Sequence, residues 1–191
     1  DELALCMEWA FGHMQADDGG SVYLRLSTRS VAAPERRGEA WKAEALKGGY
    51  WLREPKGTQA IAYMGAIMPE AIEAWTALSE DHPGLGLLAI TSPDLLHREW
   101  SQAQHARIRG ETPAEPHVET LLRPLGRDGR LVTVLDGSPS ALSWLGGVLG
   151  QRIHPLGIDR FGQTGDLVDL YRTYDLDARA IATTARLAFR R

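Results

Sequence analysis

The chain is 191 residues long, with 43% hydrophobic and 24% charged residues, close to the average of soluble globular domains and far from the composition of a disordered one. A formal charge of −4 argues against a general nucleic-acid binder, which carries a net basic domain or face. Cys6 is the only cysteine, which excludes an internal disulfide framework and a multi-thiolate zinc site and fits a reducing cytoplasm.

The longest nearly uncharged apolar stretch, around Ile61 to Met68, is far short of the ~20 residues that span a bilayer, so no membrane association is expected. The chain opens Asp1-Glu2-Leu3 without methionine and enters an amphipathic pattern at once, as a processed protein or a piece of a longer one would. Leu3, Met7, Ala10, Phe11 and Met14 fall on one face of a helix. Asp17-Asp18-Gly19-Gly20 ends that helix, and Ser21 to Ser27 alternates as a strand does. This αβ unit cannot bury both of its faces alone. The composition shifts between Val31 and Arg53, where a linker is expected to hold a short helix over Glu39 to Leu46 and a short edge strand over Tyr50 to Arg53.

From Pro55 onward strands alternate with helices. Thr58–Gly65, Leu85–Thr91, Arg130–Asp136 and Ile153–Ile158 read as strands. The helices begin at Pro69, at Ser92-Pro93-Asp94, at His117, at Ser138-Pro139 (Ser138 as N-cap, with Leu142, Leu145, Val148 and Leu149 inward), before Leu167 and at Asp177. The pattern predicts a three-layer α/β domain.

Few residues carry chemistry by spacing alone. Gly84-Leu85-Gly86-Leu87-Leu88-Ala89 matches the G-x-G-x-x-A variant of the dinucleotide fingerprint, but the glycines precede and enter a strand rather than open a helix, so the match carries little weight. The six histidines are scattered. His97 and His105 read as exposed helix residues, and His154 as a packed strand residue. Asp136-Gly137-Ser138 and Asp159 follow strands, where α/β sheets place functional loops. Arg29, just past the first expected strand, is placed to hold a substrate carboxylate or phosphate as a bidentate fork, and equally to be a surface arginine in a connector. No nucleophile with its base and no metal-ligand cluster is visible, so no catalytic residue and no metal ligand is assigned. Trp75 and Trp144 fit helix core faces; Trp9, Trp41, Trp51 and Trp100 are candidates for an interface.

Two stretches add a resemblance. Gly157-Ile158-Asp159-Arg160-Phe161-Gly162-Gln163-Thr164, followed by Leu167…Tyr171, Tyr174-Asp175-Leu176-Asp177 and an alanine-rich helix, is similar to the C-terminal end of transketolase-like thiamine diphosphate enzymes, whose motif loop is matched by Asp159, Phe161 and Gly162. Ala89-Ile90-Thr91-Ser92-Pro93-Asp94-Leu95-Leu96-His97-Arg98-Glu99-Trp100 resembles a segment of the homodimeric pyruvate dehydrogenase component of that family. Ser27-Thr28-Arg29 is similar to the S-R-Q of transketolases, one residue out of register, and the histidine-bearing segment of the pyruvate dehydrogenases has no counterpart in Ser30 to Pro34.

The resemblance implies an α/β fold, a three-layer α/β/α transketolase C-terminal-domain-like unit with a mostly parallel mixed sheet, preceded by a remnant αβ unit of the middle domain. Residues 1–30 would end the pyrimidine-binding middle domain, 31–53 form a linker and 54–191 the C-terminal-like domain. The implied parent enzyme is a thiamine diphosphate- and magnesium-dependent pyruvate (2-oxoacid) dehydrogenase component, a cytoplasmic homodimer that passes acyl groups to a lipoyl-bearing acyltransferase. The alternatives are transketolase, moving ketol units between sugar phosphates, and a non-catalytic binding or dimerisation module. The resemblance also implies that the cofactor sites belong to other domains, so this chain alone is expected to bind neither thiamine diphosphate nor magnesium.

Overall fold

The computed structural model describes residues 1–190. Five strands, β1 (Gly49–Arg53), β2 (Gln59–Met64), β3 (Gly86–Ile90), β4 (Arg130–Leu135) and β5 (Arg152–Leu156), form one sheet in the order β1-β3-β2-β4-β5. Strands β2 to β5 are parallel, while β1 runs antiparallel to β3 with Gly49 opposite Ile90. Parallel strands need both faces covered, and their sequences read as unbroken apolar runs for that reason. On one face Ile61, Tyr63, Leu87, Ala89, Val132 and Val134 form a core with Ala71, Ala74 and Leu78 of α3 (Met68–Leu78) and Ile181, Ala185 and Phe189 of α9 (Ala178–Phe189). On the other, Ala60, Ala62, Leu88, Ile90, Leu131 and Leu135 pack on Leu96 of α4 (Pro93–Ile108), on Val118, Leu121 and Leu122 of α5 (His117–Leu122), and on Leu142, Leu145 and Val148. The expected three-layer α/β/α fold with a mostly parallel mixed sheet is therefore the one observed.

Local chemistry explains most boundaries. Asp177 accepts a hydrogen bond from the Ala180 amide at 2.7 Å, and Asp166 one from Val168 at 3.0 Å at the start of α8 (Leu167–Thr173), as N-cap carboxylates do. Pro69 and Pro93 sit in the first turns of α3 and α4, where the missing amide costs nothing. Before the sheet, α1 (Glu2–Gln15) and α2 (Ala40–Leu46) take their expected places.

Three expectations change. The stretch Ser21–Ser27 does not form a strand, although its alternation is strand-like; among the described residues no neighbouring strand pairs with it, and a lone extended segment has no ladder to join. Val22 and Leu24 instead turn toward Met7, Phe11 and Met14 of α1. The single helix expected from Ser138 is broken into α6 (Ser140–Ser143) and α7 (Gly146–Leu149). Gly146 and Gly147 weaken helical continuity there, and Ser138 shares its hydroxyl with Ser140 at 2.8 Å instead of capping an amide. The helix from His117 ends at Leu122 and tightens into a 3₁₀ turn over Arg123–Leu125, where Pro124 cannot continue the α-helical ladder. Among the described residues no helix is long and apolar enough to cross a membrane.

Candidate functional site

In an open parallel sheet, functional loops gather beyond the carboxyl ends of the strands. Here those loops are Gly65-Ala66 after β2, Asp136-Gly137 after β4 and Ile158-Asp159 after β5. The last two are joined directly, because the Ile158 amide donates to the Gly137 carbonyl at 2.7 Å. The segment 21–31 crosses this rim and is pinned to it by two arginines. Arg25 Nη1 donates to the Asp136 carbonyl at 3.0 Å. Arg29 Nη1 donates to the Ala66 carbonyl at 3.0 Å, and its two terminal nitrogens grip the Glu70 carboxylate at 2.9 and 2.7 Å.

Arg29 opens onto a cleft of about 260 Å³ whose polar lining is Glu70, Glu73, Tyr171, Asp177 and Arg179. Its guanidinium lies 5.4 Å from the centroid of the Tyr171 ring, a cation–π distance. The Tyr171 hydroxyl donates in turn to Asp136 Oδ2 at 3.3 Å. Burial, with the Asp136 carboxylate beside it, pushes the Tyr171 pKa up to about 12, against the opposing pull of Arg29. The hydrogen bond to Glu70 raises the Arg29 pKa, so the guanidinium is a fixed positive charge. The cleft thus offers two cations, the tethered Arg29 and Arg179, a phenol that stays protonated, and three carboxylates.

The sequence picks out Arg29 and Asp136, and the structure brings them to the same rim. It does not bring Asp159, Phe161 or Gly162 to the Arg29 cleft. Asp159 is exposed and pairs with its neighbour Arg160 at 3.6 Å. Phe161 is 97% exposed, and Gly162 stands in open space. What anchors this loop is backbone recognition. The Tyr174 hydroxyl donates to the Phe161 carbonyl at 3.1 Å, and Arg160 donates to the Thr173 carbonyl at 3.3 Å. Sequence reasoning missed Glu70, Tyr171 and Arg25 as members of the rim. Glu70 follows Pro69 in a helix's first turn, where an acid is explained by the helix dipole alone, and Tyr171 reads as a core residue; neither carries a mark of its partner.

Among the described residues no group of three or more His, Cys, Asp or Glu is placed to hold a metal ion. Glu70 is engaged by Arg29, and Asp177 by the Ala180 amide. Gly84 and Gly86 lead into β3 instead of presenting amides at a helix start, and a side chain at Gly86 would collide with Trp51 at 2.7 Å. The residues present therefore do not fit thiamine diphosphate with magnesium.

No family model matches the chain, and no curated protein matches it. Solved structures do. A transketolase from Leishmania mexicana is 14% identical with a TM-score of 0.55 over 80% of this chain and 20% of its own. A transketolase from Pichia stipitis in complex with sedoheptulose-7-phosphate is 17% identical with a TM-score of 0.57 over 81% of this chain and 20% of its own. A transketolase from Campylobacter jejuni is 15% identical with a TM-score of 0.53 over 80% and 20%. The chain spans about a fifth of the length of these proteins. At such identities the likeness is one of fold: the chain carries a transketolase-like C-terminal-type three-layer α/β/α domain.

Proposed function

We propose that this chain is the architectural C-terminal portion of a thiamine diphosphate-dependent enzyme, and that the enzyme transfers ketol units between sugar phosphates. The observation that carries the reading is the likeness of four-fifths of the chain to transketolases, one of them a sedoheptulose-7-phosphate complex. The ordered cation of Arg29 at the sheet's carboxyl rim agrees with it, since a guanidinium fork suits a phosphate. In this reading residues 1–30 end the middle domain, 31–53 link, with the last five recruited as β1, and 54–191 form the third domain. The isolated chain serves folding, dimerisation and positioning of Arg29, while the cofactor is held elsewhere.

The second reading, a pyruvate or other 2-oxoacid dehydrogenase component that serves a lipoyl-bearing acyltransferase, rests on the Ala89–Trp100 segment. That segment forms the end of β3 and the start of α4. Assaying the enzyme that contains this chain separates the two. Turnover of xylulose 5-phosphate with ribose 5-phosphate is expected. Turnover of pyruvate with a lipoyl acceptor in its place would favour the second reading, and neither activity would leave only the binding-module alternative. Micromolar thiamine diphosphate binding by the isolated chain would overturn the placement of the cofactor site.

A further inference from the structure

The Arg29 fork is already filled by a carboxylate. Glu70 occupies both terminal nitrogens in the parallel geometry that a phosphate or a substrate carboxylate would use. Two other restraints on Arg29 do not involve Glu70: the Ala66 carbonyl at 3.0 Å and the Tyr171 ring at 5.4 Å. Removal of Glu70 therefore leaves the guanidinium positioned and facing the cleft of about 260 Å³.

Glu70 itself has somewhere to go. It lies in the first turn of α3, whose start has no side-chain cap; the Met68 amide is taken by the Gly65 carbonyl and Pro69 has none, but the helix dipole favours a carboxylate there. Its carboxylate is partly exposed, as is the Arg29 guanidinium (17% and 24% of each side chain), so separating the pair strands neither charge in a dry core.

We propose that Glu70 is a gate on the Arg29 anion site. Its carboxylate holds the fork closed, and an oxyanion enters by taking over both nitrogens while Glu70 turns toward the start of α3. The gate rests on the reading of Arg29 as an anion-binding residue. It also sets specificity: with Glu73, Asp177 and Arg179 on the same cleft, an anion able to accept both hydrogen bonds competes best with a carboxylate that is already tethered.

The test is a titration of the 191-residue chain with inorganic phosphate, followed by calorimetry and by the amide shifts of Ala66 and Tyr171. Wild type is compared with Glu70→Gln, Arg29→Met and the double variant, with circular dichroism to establish folding. Glu70→Gln is expected to bind phosphate about tenfold tighter or better, and the double variant to lose that gain. If Glu70→Gln leaves affinity unchanged while Arg29→Met weakens it, the gate is wrong and the anion role of Arg29 stands. If phosphate binding is absent, or indifferent to Arg29→Met in both backgrounds, the anion role fails and the gate with it. Should Glu70→Gln fold poorly, Glu70→Asp, whose shorter side chain keeps the charge but withdraws from the fork, is expected to show a smaller gain; no gain there overturns the gate.

Discussion

Arg36 Nε donates to the Tyr50 hydroxyl at 2.8 Å. The Arg36 side chain is only 6% exposed, its guanidinium lies 4.2 Å from the centroid of the Trp41 ring, and it pairs with Asp1 and Glu2 at the start of α1. This one side chain ties α1, α2 and β1 together, and removing its partners would leave a buried charge uncompensated, which is strongly destabilising.

The pairing has an alkaline consequence. Burial, with Glu2 nearby, pushes the Tyr50 pKa up to about 12, although Arg36 pulls it down. An unfolded tyrosine loses its proton near pH ~10, so between pH ~10 and ~12 the folded state holds a proton that the unfolded state has released. The contribution is complete below pH ~10 and is lost as pH rises toward ~12. Urea unfolding across that window should show falling stability in wild type and a shallower fall in Tyr50→Phe.

Gly48→Ala should destabilise the fold by about 2 kcal/mol or more. Gly48 joins α2 to β1 with φ +110°, and a Cβ there would stand 2.8 Å from the Ser92 carbonyl oxygen and 2.7 Å from Leu96 Cγ. Its own carbonyl accepts from Thr91 and Ser92 at 2.9 and 3.1 Å, so relaxation would disturb the end of β3. The midpoint of chemical denaturation measures the loss.

Thr133→Val should raise stability by about 1 kcal/mol. Thr133 is fully buried in β4, and its hydroxyl has no hydrogen-bond partner. Valine keeps the shape and removes a polar group that receives nothing in return. Thermal unfolding of the variant should shift upward, and a downward shift would mean that an internal water satisfies the hydroxyl.

Phe11→Ser with Leu24→Ser should leave the unfolding midpoint of the sheet domain within about 0.5 kcal/mol of wild type while lowering binding of a hydrophobic dye. Phe11 is 59% exposed, and Met7, Met14 and Leu24, which line the same shallow hollow, are exposed as well. Contiguous exposed apolar side chains of this kind mark an interaction surface or an aggregation liability. Size-exclusion chromatography at rising concentration should show less self-association in the double variant.

What was legible in the sequence follows from what each residue answers to. The four parallel strands and α3, α4, α8 and α9 were readable because apolar runs, Pro69, Pro93, Asp166 and Asp177 act within a few residues of themselves. The edge strand at Tyr50 and the helix before it were readable for the same reason. Ser21–Ser27 misled because alternation shows that a segment can join a ladder, not that a neighbour exists. The rim was half legible: Arg29 and Asp136 stand at ends of apparent strands, but Glu70 is 41 residues from Arg29 in sequence, and nothing local in either announces the other. The motif loop was legible as a pattern, yet its anchoring by Tyr174 and Arg160 through backbone carbonyls leaves Asp159 and Phe161 facing solvent.

The antiparallel entry of β1 decides where the preceding 48 residues can act. Since Gly49 lies opposite Ile90, the last residue of β3, the chain is delivered to the sheet at the end where its parallel strands finish. A parallel first strand would have brought it in at the opposite end. The polarity of a five-residue strand is what lets Arg25 and Arg29 reach across to Asp136 and Ala66, so reversing it would separate the arm from the rim without altering a single residue of either.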